Sequence, residues 1–163
     1  MKILQILALI LSINTCTFSQ EIKYKDLFGV WQSESKEIAS AWLDAYQFFA
    51  DGRFVFNLNQ YDEAKRVLAI KGHYRIVEDT LFFKIESTIE LIGGYFVRNS
   101  LTNIHGSWSL SGDVIRKEIK HPEKTEQIAV IKRYGEEHQE LNCILIDEVI
   151  YYKIYSNPED YLR

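Results

Sequence analysis

From Asp26 onward the chain repeats its apolar residues at every second position, and this period limits the folds open to it. Phe54, Phe56 and Leu58 alternate with Arg53, Val55, Asn57 and Asn59. Leu68, Ile70, Tyr74 and Ile76 share one parity, with Lys71, His73 and Arg75 on the other, and Leu81, Phe83 and Ile85 continue the pattern. A period of two puts alternate side chains on one face of a strand, whereas a helix would scatter them. Turn signals punctuate the pattern at Asp51-Gly52, Glu78-Asp79, Gly112-Asp113 and the polar stretches 121–127 and 135–140. Strands are expected at 28–35, 45–50, 53–60, 67–77, 80–92, 103–110, 114–120, 127–134, 141–146 and 149–155. About eight to ten antiparallel strands with short connections form an all-β, up-and-down meander, closed as a barrel or folded as a sandwich. With 163 residues there is room for one such domain. Helical signals are few: i, i+3, i+4 spacing at Ile38, Ala41, Trp42 and Ala45, and a possible terminal turn opening at Pro158.

A repeat lies inside the strand pattern. Residues 72–85 and 106–119 align without a gap, pairing Gly72 with Gly106, Tyr74 with Trp108, Ile76 with Leu110, Asp79 with Asp113 and Leu81 with Ile115. Each unit is written as one hairpin, its Asp in the turn and its aromatic and aliphatic residues facing inward. In the first unit Ile76 opposes Leu81 and Tyr74 opposes Phe83. In the second, a turn at Gly112-Asp113 makes Leu110 oppose Ile115 and Trp108 oppose Lys117. That register points Lys117 inward, beside Trp108.

The first nineteen residues have a different character. Lys2 precedes an apolar run from Ile3 to Ile13, and small residues follow at Thr17 and Ser19. This is the pattern of a secretory signal cut after Ser19, which leaves 20–163 as the exported domain, periplasmic or secreted. Processing as a lipoprotein at Cys16 is the alternative. The run is too short for a transmembrane segment, which needs about 20 apolar residues. After the cut Cys143 is the one thiol left, and its apolar neighbours mark it as a small buried strand residue.

Composition removes several function classes. Charged residues make up 26% and the formal net charge is -4, so no basic face is expected for nucleic acid. The four His residues, His73, His105, His121 and His138, show no metal-ligand spacing, and no metal or cofactor is implied. Ser107 and Ser109 lack a nucleophile elbow, and Glu136-Glu137 and Asp147-Glu148 fall at expected turns. No residue is therefore assigned a catalytic role, and the chain is read as a non-enzyme.

Aromatic residues, 13% of the chain, are the main chemical resource. Phe54, Phe56, Tyr74, Phe83 and Trp108 have inward parity, so they either fill the interior or line a cavity for one small molecule. Leu27-Phe28-Gly29-Val30-Trp31 resembles the Gly-x-Trp entrance of the lipocalin superfamily. Phe48-Phe49-Ala50-Asp51-Gly52-Arg53-Phe54 and Gly72-His73-Tyr74-Arg75-Ile76 resemble the exported lipocalin-like domains of bacteria. The resemblance implies a calycin-type, eight-stranded up-and-down barrel, with Gly29 and Trp31 in structural roles and Trp31 packed across the closed end. It also implies binding of a small hydrophobic or amphipathic ligand; inward parity offers Phe54, Phe56, Tyr74, Phe83 and Trp108 to line its site, and the register of the second hairpin offers Lys117 to hold an anionic group. The alternative is an envelope protein-interaction module with a filled barrel and no small ligand. A third, weaker reading is a hydrolase or isomerase built in the barrel. A cavity of roughly 300 Å³ or more lined by these aromatics separates the first two readings.

Overall fold

The computed structural model describes residues 22–36, 43–59, 65–98, 108–134 and 141–161. The expected signal segment, Cys16, His105, Gly106, Ser107, His138 and the Glu136-Glu137 pair lie outside these residues. A short helix α1 (Tyr24–Leu27) leads into eight strands: β1 (Gly29–Ser33), β2 (Ala45–Phe48), β3 (Arg53–Asn57), β4 (Val67–Val77), β5 (Thr80–Arg98), β6 (Trp108–Arg133), β7 (Cys143–Ile146) and β8 (Val149–Tyr155). Each strand is antiparallel to the one before, and β8 returns to pair with β1. The chain is therefore a closed eight-stranded up-and-down barrel, and the sandwich alternative falls away. A 3-10 turn at Pro158–Asp160 follows β8, where the sequence places a terminal turn. No helix among the described residues is long and apolar enough to cross a membrane.

Inward parity builds one core. Trp31, Phe48, Phe54, Tyr74, Leu81, Phe83, Ile131, Ile144, Ile146 and Tyr151 are buried within it, and Ile22 and Leu27 close it beneath α1. A second, smaller cluster sits on the outer wall, where Val30 and Ala45 meet Tyr155 and the C-terminal Tyr161. Gln47 donates from its side-chain amide to the Pro158 carbonyl at 2.8 Å and so ties this C-terminal segment to β2.

The β4–β5 hairpin has the register expected from sequence, with Ile76 opposite Leu81 and Tyr74 opposite Phe83. Glu78 takes a left-handed conformation in its turn, at φ 56°. Gly72 stands at a register shift where a Cβ would run into the Lys84 backbone, so only glycine fits.

The second hairpin is not formed. The segments expected as strands at 103–110, 114–120 and 127–134 are, as far as they are described, parts of the single strand β6. Leu110 pairs with Phe96, Trp108 with Arg98, Ile115 with Ile92 and Lys117 with Glu90. The chain reverses between Arg98 and Trp108 rather than at Gly112-Asp113. Gly112 does have positive φ, 92°, but it lies at a register shift opposite the positive-φ Gly93 and Gly94. A glycine free to take positive φ serves a bulge as readily as a turn, and the local sequence does not say which. The polar stretch read as a turn at 121–127 is likewise inside β6. Thr125 pairs with Ile85 and Lys120 with Ser87, so residues 121–124 bulge out opposite Glu86.

Candidate functional site

Trp31 lies at the α1 end of the barrel, fully buried. Its indole N–H donates to the Leu27 carbonyl at 2.6 Å, fastening α1 to β1. The Lys153 ammonium on β8 stands 5.2 Å from the Trp31 ring centroid and 3.5 Å from the Asp26 carbonyl. Gly29 has φ 128° and backs onto the Tyr155 carbonyl, which a Cβ would approach to 2.5 Å. The α1 helix has no sequence signal of its own, since four residues are too few to show a period.

Above Trp31 the interior is occupied by rings. Tyr46 meets Phe48, Phe56, Phe83 and Tyr151 with centroid separations of 5.3, 4.3, 5.5 and 5.2 Å, drawing together β2, β3, β5 and β8. Phe83 also contacts Phe54 at 4.8 Å, and Tyr74 is caught between Phe48 and Tyr24 at 4.8 and 4.9 Å. Phe54, Phe56, Tyr74 and Phe83 thus point inward as their parity requires, and they contact other rings in one continuous set. The hub, Tyr46, was not among the residues singled out from sequence. It shares parity with Phe48 across Gln47, and that alternation was the available signal. Burial pushes the Tyr46 hydroxyl above the ordinary phenol range, and Tyr151 and Tyr74 follow for the same reason.

The other two expected ligand residues do not join them. Trp108 is 45% exposed and Lys117 is exposed, both on a part of β6 remote from the rings. Their inward assignment depended on a turn at Gly112-Asp113. Without that turn Lys117 faces Glu90 across a long ribbon instead of Trp108 across a hairpin.

The ribbon is the feature that sequence reasoning missed. The last β4–β5 pair is Val67 with Glu90, yet β5 runs on to Arg98 paired with β6 alone. Arg66 holds its base: the guanidinium donates to the carbonyls of Leu91, Gly93 and Gly94 at 3.2, 2.6 and 3.3 Å and stacks 5.0 Å from the Phe96 centroid. Ile92, Tyr95, Trp108 and Ile115 are all exposed along it. Among the described residues, β6 pairs with β7 only over 131–133 and Val130 is bonded to Asp147, so the outer edge over 110–129 is paired with no described strand.

Two clefts are found outside the ring set. One of about 450 Å³ is lined by Val130, Lys132, Leu145 and Asp147, which carry the parity opposite to the inward Ile131 and Ile146, and by Glu148 in the β7–β8 turn. The other, about 300 Å³, is lined by outward groups including Arg53, Lys71, His73, Glu86 and Glu118, with Phe54 the one expected ligand residue at its border. His73 is exposed and 3.1 Å from Glu86, whose carboxyl is held below the usual range first by Lys84 and then by His73. His121 Nε2 lies 3.0 Å from the Thr88 hydroxyl. Among the described residues no three His, Cys, Asp or Glu side chains form a metal-binding group. Cys143 is free and half-buried on β7, where burial pushes its thiol up. The chain matches no family model, no curated protein and no solved structure.

Proposed function

We propose that the protein is an exported, lipocalin-like barrel whose interior is structural and whose function is contact with protein through the β5–β6 ribbon. One observation carries this reading: Tyr46 bridges rings from four strands, so the side chains suited to line a ligand cavity pack on each other instead. The apolar side chains left in solvent are concentrated on β6 and its partner strand, and exposed apolar groups of that kind mark interaction surfaces. The signal-like N-terminal pattern supports export, and the closed meander with a buried Trp31 supports the lipocalin-like assignment. Native mass spectrometry of the protein purified from its own host tests the first half. The expected mass is that of polypeptide alone, singly or in multiples, and a stoichiometric small-molecule adduct overturns the reading. A photo-crosslinking amino acid at Ile115 tests the second half, with attachment to protein expected in intact cells and none from the same group at buried Phe83.

A further inference from the structure

The edge of β6 is an incomplete sheet, and its hydrogen-bonding phase can be read from the structure. The Leu91 N–H donates to the Arg66 carbonyl at 2.8 Å, on the β4 side. Leu91 is paired with Arg116, so this is a pair whose backbone groups point away from each other, and Arg116 turns its N–H and carbonyl to the outer edge. Val114 and Glu118, two residues either way and in unbroken register, do the same. A row of outward backbone groups is a template for another strand.

Charge then selects the strand. Consider β6 pairing antiparallel with β6 of a second copy about a two-fold axis at Ile115. Val114 of each copy then meets Arg116 of the other. Both carry outward backbone groups, so the two pairs supply four backbone hydrogen bonds. Ile115, 61% exposed, meets its own counterpart in the closer, non-hydrogen-bonded type of pair. Asp113 of each copy meets Lys117 of the other, giving two opposite-charge pairs. Axes at Arg116, Lys117 or Glu118 place a charged residue against itself, and one at Ile119 runs into Pro122 and the bulge at 121–124. That bulge and the proline also end the edge, so the pairing closes as an isologous dimer rather than extending as a fibre.

We propose that the partner of the ribbon is a second copy of this chain, joined edge to edge along β6 with the two-fold axis at Ile115. The proposal rests on the protein-contact reading above and names its occupant.

Sedimentation velocity of the purified protein over a concentration series, with charge-swapped variants, is the test. Wild type sediments as a dimer. Asp113→Lys or Lys117→Asp alone weakens the dimer by about tenfold or more, since each puts two like-charge pairs at the axis. The double variant Asp113→Lys/Lys117→Asp restores it, which a folding defect would not do. Arg116→Pro removes an N–H that faces the edge, leaves the bonds to β5 and abolishes the dimer, while Arg116→Ala keeps it. A monomer at every concentration overturns the proposal. So does a dimer indifferent to the charge swap. If Ile115 crosslinks in cells to some other protein while the purified chain is monomeric, the protein-contact reading stands and the two-fold pairing falls.

Discussion

Trp31 and Lys117 show how differently single residues can be read. Trp31 was given its role by resemblance: Leu27-Phe28-Gly29-Val30-Trp31 is similar to the Gly-x-Trp entrance of lipocalins, in which the ring packs over one end of a barrel. In the structure the indole is fully buried and donates to the Leu27 carbonyl. Replacing Trp31 by Ala is expected to cost about 3–5 kcal/mol, as for other fully buried large aromatics. Equilibrium denaturation in urea measures it, and a loss below about 1 kcal/mol would mean that the ring does not hold the closed end. Lys153 could not be found the same way, because its place over the ring comes from the pairing of β8 with β1, far apart in sequence. Lys117 was given an inward direction by parity alone, and parity has meaning only where a sheet has an inside. Among the described residues Lys117 pairs with Glu90 at the last β4–β5 pair and has no strand on its other side, so its parity there points into no interior.

The β4–β5 hairpin was legible to the register of its cross-strand pairs because all the determinants are local. Glu78-Asp79 makes a short turn, and Tyr74, Ile76, Leu81 and Phe83 each find their partner within a few residues. The β5–β6 ribbon was not legible, because its glycines and charges are also the signals of surface turns. Arg66 helps decide between the two outcomes, since its three carbonyl contacts and the Phe96 stack hold the ribbon where it leaves β4. Arg66→Met is therefore expected to raise amide exchange over 91–98 and 108–116 by roughly tenfold, about the worth of one charge-assisted hydrogen bond in local opening. Amides of β1 to β3 should keep their protection. Uniform loss across the barrel would show that Arg66 supports the whole fold rather than the ribbon.

At the scale of the molecule, closure joins the two ends of the chain, and the ring set depends on it. Tyr46, Tyr74 and Tyr151 have hydroxyls raised above the ordinary phenol value of 10.0, with burial the largest cause in each. A group whose folded value is raised contributes stability that is complete below its unfolded value and is lost as pH rises through the folded one. The protein is therefore expected to resist pH up to about 10 and to unfold above it as these three phenols ionise. A tyrosinate titration at 295 nm should show a smooth phase from exposed tyrosines, then an abrupt one coinciding with loss of near-UV circular dichroism. One smooth phase for all ten tyrosines with the fold intact would contradict it. The sequence by itself determined the strand period and the inward set Phe54, Phe56, Tyr74 and Phe83, because alternation is a local consequence of the pleat. Tertiary structure alone decided that Tyr46 is the hub of the interior, that Gly112 is a bulge, and that β6 runs past the barrel with an open edge. Each of these depends on which distant strand lies alongside. That choice is made by the whole sheet when β8 meets β1, so no window of sequence contains it.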